Sequence, residues 1–164
     1  MKTLTIFRHA KSSWDDNDLA DRDRPLNHRG ERDAPVMGER LKESGIRPSL
    51  ILASPAARAW ETAKLVAREI SYPLEFLQRE PGLYLAGVNK LFDIVAAQDE
   101  GFNNIVIVGH NPGLTDLANA LLPGVTTNIP TAGFVSMLIN SDDWDLRGGK
   151  SATLIRFDFP KRKT

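Results

Sequence analysis

Residues 4–14 read LTIFRHAKSSW. Threonine, isoleucine and phenylalanine favour a pleated, half-buried backbone, so the stretch opens as a strand. It then runs straight into Arg8 and His9. Neither side chain belongs in a core. Two adjacent groups that carry or can carry positive charge call for an anion. In open α/β sheets, ligands sit beyond the carboxyl ends of the strands. This one stretch therefore sets two expectations: a strand of an α/β sheet, and an anion site at its exit.

Two more strand exits agree with the first. SLILA (49–53) runs into Ser54-Pro55 and then Arg58, and NIVIVG (104–109) runs into His110-Asn111-Pro112-Gly113. Arg58 falls near the start of a helix, where the macrodipole disfavours a cation by roughly 0.3–1 kcal/mol. It also lies off the apolar stripe of that helix. An anion at the helix end would remove the conflict, bound by amides and guanidinium together. Taken singly, each residue also has a plain structural reading, as a surface arginine or a satisfied histidine. Together, Arg8, His9, Arg58 and His110 gather on one sheet edge and describe a small phosphate pocket.

The remaining pattern supplies the sheet. Further strands are expected at LEFL (74–77), GFVSMLI (133–139) and ATLIRFDF (152–159). Helices are expected at 55–70, 88–98 and from Pro112 to about Leu122, each with apolar residues at i, i+3, i+4. Ser54 and Asn111 should cap the first and third of these, with Pro55 and Pro112 at the opening positions. Another helix spans 28–44, with Asn27 before it, Gly45 after it and Pro35 awkwardly inside. Strands alternating with helices indicate an α/β sandwich with a mostly parallel central sheet. Only NSDDWDLRGGKS separates the last two strands, so a hairpin is expected there.

Composition narrows the function. The chain has 164 residues, the size of one domain covering 1–164. Lys plus Arg and Asp plus Glu both number 21, so the net charge is zero. That argues against a nucleic-acid or anionic-membrane footprint, and any anion must meet a local cluster. With no cysteine, disulfides, thiolate metal sites and cysteine nucleophiles are excluded. The three histidines show no metal-binding spacing, so neither metal nor cofactor is expected. The apolar run at the N-terminus is too short for a signal peptide, and no run approaches the ~20 residues of a membrane span. A cytoplasmic protein is the expectation, with a monomer as the working assumption.

The set supports one chemistry well. A neutral imidazole attacks phosphorus, provided its other nitrogen donates to a carbonyl or similar acceptor. Two neighbouring guanidinium groups lower the imidazole pKa by repulsion. His9 is the candidate nucleophile, while Arg8, Arg58 and a charged or donating His110 would bind the non-bridging oxygens.

With these residues in hand, LTIFRHAKSSW, SPAARAWETA (54–63) and VIVGHNPGL (106–114) resemble the histidine phosphatase superfamily. Its signature is Arg-His-Gly at the end of the first strand. DRDRPLNHRGERDA (21–34) and LYLAG (83–87) are similar to the small SixA-like phosphohistidine phosphatases. The resemblance implies a three-layer α/β/α sandwich of the phosphoglycerate mutase type, with about six strands. It assigns His9 as the phosphorylated nucleophile, with Arg8, Arg58 and His110 as the other core residues. The chain departs from the signature at Ala10, where a methyl group fits only if φ is negative. Larger members add an acidic proton donor, and Glu80 is the one nearby candidate, although an exposed loop carboxylate is its plainer reading.

The implied activity is a metal-independent phosphatase acting on phosphohistidine in proteins. The imidazole of a phosphohistidine leaves more readily than an alkoxide and needs less acid assistance. The alternatives are a small-molecule phosphomonoesterase or mutase of the same superfamily, and a non-catalytic phosphate-binding module. Lys11, Ser12 and Arg24 are rim candidates. Trp14 is expected in the core or pocket wall, Trp60 in the core, His28 in solvent, and the KRK at 161–163 as a frayed basic tail.

Overall fold

The computed structural model describes residues 1–162. Six strands form one sheet: β1 (Lys2–Arg8), β2 (Leu50–Ala53), β3 (Gln78–Arg79), β4 (Asn104–Gly109), β5 (Phe134–Ile139) and β6 (Ala152–Asp158). Their order is β3-β2-β4-β1-β5-β6. The first four run parallel; β5 is antiparallel to both β1 and β6. The expected hairpin between the last two strands forms. Its consequence is that β5, inside the sheet, is the reversed strand.

Alternation along each strand divides the core. Leu4, Ile6, Leu52, Ile105 and Ile107 face one layer, and Phe7, Ile51, Val106 and Val108 face the other. The first layer is closed by α3 (Val88–Ala96) and α4 (Gly113–Leu121), through Leu91, Val95, Leu114 and Leu117. The second is closed by α1 (His28–Glu43) and α2 (Ala57–Glu69), through Met37, Leu41, Ala63 and Val66. Strands buried on both faces explain the unbroken apolar runs of β2 and β4. The result is the expected three-layer α/β/α sandwich.

Several local expectations need correction. LEFL is not a strand. Its Leu74–Phe76 segment is a 3-10 turn after Pro73, and β3 is only the two residues that follow Leu77. The Phe76 amide bonds back to the Pro73 carbonyl, which takes the segment out of the ladder. Helix α2 starts at Ala57, two residues later than expected, although Ser54 Oγ still accepts the Ala56 amide at 3.3 Å. Helix α4 starts at Gly113, with Asn111 Oδ1 accepting the Thr115 amide at 3.1 Å. Asn27 caps α1 as expected, taking the Gly30 amide at 2.8 Å, and Pro35 is accommodated within that helix. Trp60 is half-buried rather than core, with the Arg79 guanidinium 4.0 Å above its ring. Trp14 is 68% exposed, so it is not a core residue. His28 is exposed, as are Lys161 and Arg162; Lys163 lies outside the described residues.

Candidate active site

The exits of β1, β2 and β4 meet at one edge of the sheet. His9 is held there by backbone bonds on both sides. Its amide donates to Gly109 O at 3.1 Å, and its carbonyl accepts the Ala132 amide at 3.0 Å. The ladder of β4 and β5 thus continues one residue past β1 and aims the imidazole. Ala10 has no positive φ and is fully buried, so its methyl group is accommodated without backbone strain. Its amide donates to Thr62 Oγ1 at 2.9 Å, and that hydroxyl donates to Arg58 O at 2.7 Å. Thr62 therefore ties the first strand exit to α2.

The state of His9 follows from its surroundings. Nδ1 lies 2.7 Å from Ala10 O, and a carbonyl can only accept, so Nδ1 carries the hydrogen. Nε2 is left with its lone pair. Its pKa is lowered to about 3, chiefly by burial and then by His110, Arg58 and Arg8, against the opposing bond to Ala10. Desolvation, more than the repulsion by guanidinium groups expected from sequence, keeps this imidazole neutral.

His110 stacks at a tilt beside His9, ring centres 5.2 Å apart. Its Nε2 is 2.8 Å from Ser54 Oγ, and its Nδ1 is buried with no hydrogen-bond partner. Ser54 already accepts from Ala56, so its own hydrogen is free to go to Nε2. That arrangement leaves Nδ1 as a buried N–H donor without an acceptor. Burial and Arg58 push the His110 pKa down to about 4, so it is a neutral donor rather than a cation. Arg8 is similarly incomplete: Nη1 donates to Ile129 O at 2.9 Å while the buried Nε has no partner.

Arg58 is 5% exposed, and its anion is already within the chain. Nη1 donates to Asp21 O at 2.8 Å and Nη2 to Asp21 Oδ2 at 3.0 Å. Asp21 sits on a 3-10 turn (Asp21–Asp23) and holds both ends of the fork. It removes the conflict with the α2 dipole and leaves three of the five guanidinium donors for other acceptors. The Tyr84 hydroxyl bonds the same carboxylate oxygen at 2.5 Å, and the Tyr84 ring meets His110 edge-on at 5.5 Å. That hydroxyl, ahead of Arg58, holds the Asp21 carboxyl below its usual range.

Asp21 and Tyr84 were not singled out from sequence, although both lie in quoted motifs. The signal available was the unbalanced Arg58, which needed an acid from somewhere. Glu80, the candidate proton donor, instead accepts the Gly82 amide at 3.1 Å and caps a short 3-10 turn.

Arg8, His9 and Arg58 line a cleft of about 220 Å³ together with the rim residues Lys11, Ser12, Trp14 and Arg24. The rim segment is laced to its neighbour: Ser13 N–H donates to Pro25 O, and Asn27 N–H to Lys11 O. Gly30 is required beneath it, because a Cβ there would lie 2.2 Å from Lys11 O. Among the described residues, no group of three or more His, Asp or Glu is placed to hold a metal ion. No described helix is long and apolar enough to cross a membrane.

Comparison with known proteins follows the same line. Residues 4–80 match the family model of the histidine phosphatase superfamily, branch 1. The chain is 31% identical over 152 residues to an uncharacterized chloroplastic protein of Arabidopsis thaliana, covering 88% of this chain and 69% of that one. It is 33% identical over 143 residues to an uncharacterized protein of a Picosynechococcus strain, covering 82% and 83%. In structure it is similar to a protein assigned as the phosphohistidine phosphatase SixA of Agrobacterium tumefaciens. The TM-score is 0.83 at 25% identity, over 97% of this chain and 98% of that one.

Proposed function

The chain belongs to the histidine phosphatase superfamily, SixA-like branch, and we propose that it dephosphorylates phosphohistidine in proteins through a phosphoenzyme on His9. The observation that carries this reading is the locked tautomer of His9. Nδ1–H is held by Ala10 O at 2.7 Å, and Nε2 is unprotonated and free to attack phosphorus. Arg8 Nε, the free donors of Arg58 and the Nδ1–H of His110 take the non-bridging oxygens, where transition-state charge resides.

In the first step a bond forms from Nε2 to phosphorus. The substrate P–N bond breaks, and its electron pair goes to the departing imidazole, which takes a proton from water. In the second, water attacks the phosphorus of phospho-His9. The P–N bond returns its pair to Nε2, phosphate leaves, and the proton of the water goes to solvent.

Two features support a P–N substrate over an alkyl phosphate. Asp21, the carboxylate on the clamp, is kept ionised and cannot serve as a ready acid. Glu80 is engaged as a cap. An alkoxide leaving group needs a proton from a general acid, whereas a departing imidazole needs less assistance.

The test is a labelled phosphohistidine protein, EDTA throughout, and a quench without acid. Label on His9, stable to base and labile to acid, is expected, with phosphate released. His9→Ala should show neither. Turnover that survives His9→Ala would overturn the mechanism. Turnover of phosphomonoesters alone would replace the substrate class.

A further inference from the structure

Trp14 is absorbed neither by the core nor by the phosphate clamp. It is 68% exposed, yet it lines the same cleft as His9, Arg8 and Arg58. Its position is fixed from beneath. The Arg24 guanidinium carbon lies 3.3 Å from the centre of the Trp14 ring, and Arg24 itself is only 7% exposed. Arg24 is immobilised in turn. Nε donates to Ser13 O at 3.2 Å, Nη1 to Asp21 Oδ1 at 3.1 Å, and Nη2 to Ser12 Oγ. One face of the indole is thus covered by a buried, anchored cation, and the other is open beside the nucleophile.

Resting on the P–N phosphatase reading, we propose that the Trp14–Arg24 stack is the leaving-group subsite, and that the open indole face takes the flat imidazole ring of the substrate. The physical case has three parts. The indole is exposed where it lines the cleft, so its open face is available to a flat group held there. A ring that is already ordered adds stacking at little entropic cost. The cation beneath draws electron density from the indole, which favours a neutral, electron-rich ring on the outer face over a second cation. The departing imidazole is such a ring. Lys11 stands on the same rim, where its charge suits the phosphoryl group better than the ring.

The discriminating pair of substrates is N-phosphohistidine and phosphoramidate, which share the P–N bond but differ in the ring. For Trp14→Ala, kcat/KM on phosphohistidine should fall roughly tenfold, the order of one aromatic stack. On phosphoramidate it should stay within about twofold, a change too small to signal a lost contact. Trp14→Phe should recover most of the loss. Equal loss on both substrates would overturn the subsite and make Trp14 a structural support, and no loss on either would overturn it as well.

A second readout does not depend on turnover. In the His9→Ala protein, phosphohistidine should shift the Trp14 indole N–H resonance by ring current, and phosphoramidate should not. Turnover by wild type without that shift sinks the subsite alone. Failure of the wild type to cleave either compound sinks the underlying reading, and the resonance then decides whether the ring binds at all.

Discussion

The sheet has a cavity at each end, and the larger is the less eventful. At the amino ends of the strands, a hollow of about 540 Å³ is bounded by Lys42, Ile46, Arg47, Tyr72 and Phe76. At the carboxyl ends, the cleft beside His9 measures about 220 Å³. Both hold cations and at least one aromatic ring. They differ in what is buried. Lys42 and Arg47 are exposed at the larger hollow, whereas at the smaller one Arg58, His9 and His110 are each less than 9% exposed. The smaller one is lined by Arg8, whose buried Nε has no partner, and His110 Nδ1 is likewise unpartnered beside His9. Ordered, desolvated groups can act on a ligand at no reorganisation cost, and room alone cannot.

The sharpest way to break that contrast is Arg58→Ala. Removing one pre-aimed donor from such a site lowers kcat/KM by roughly 10²–10³. Steady-state kinetics on the preferred substrate measures it. A loss below tenfold would mean that Arg58 serves only its ion pair with Asp21.

A smaller effect separates the two ends by pH. His9 and His110 are neutral when folded, with pKa values lowered to about 3 and about 4, but they protonate near pH 6.5 when unfolded. As pH falls from 7 to 5, the unfolded chain binds protons that the folded chain does not, so stability falls. The loss is on the order of 1 kcal/mol for each imidazole over that window. Urea midpoints of wild type and of a His9→Gln, His110→Gln variant test it: the variant should lose less. Equal slopes would place both histidines in solvent-like surroundings.

The smallest expected effect lies at the larger hollow. Lys42→Ala combined with Arg47→Ala should leave kcat/KM within about twofold and shift stability by about 0.5 kcal/mol or less per site. A tenfold kinetic loss there would overturn the division of labour between the two ends.

The same contrast explains what could be read from the sequence. Arg8, His9, Arg58 and His110 were legible because cations and imidazoles at strand exits violate the ordinary burial preference, and all four violations fall on one edge. The helices were legible from their periodicity. Asp21 was not, because it reaches Arg58 across 37 residues of chain, and only the docking of a 3-10 turn onto α2 brings them together. LEFL misled because its apolar run says nothing of the turn that Pro73 begins. For Trp14 the pocket-wall alternative holds and the core one does not: the indole lines the cleft, with the Arg24 guanidinium stacked against its ring.

The absence of cysteine and the depth of His9 have a joint consequence. Peroxide attacks phosphatases that work through thiolates, because a thiolate is easily converted to a sulfenic acid. A buried neutral imidazole offers no such target. Of the three methionines, Met37 and Met137 are sealed in the two core layers. The chemistry proposed for His9 would therefore stay available under oxidative conditions that silence a cysteine-based enzyme.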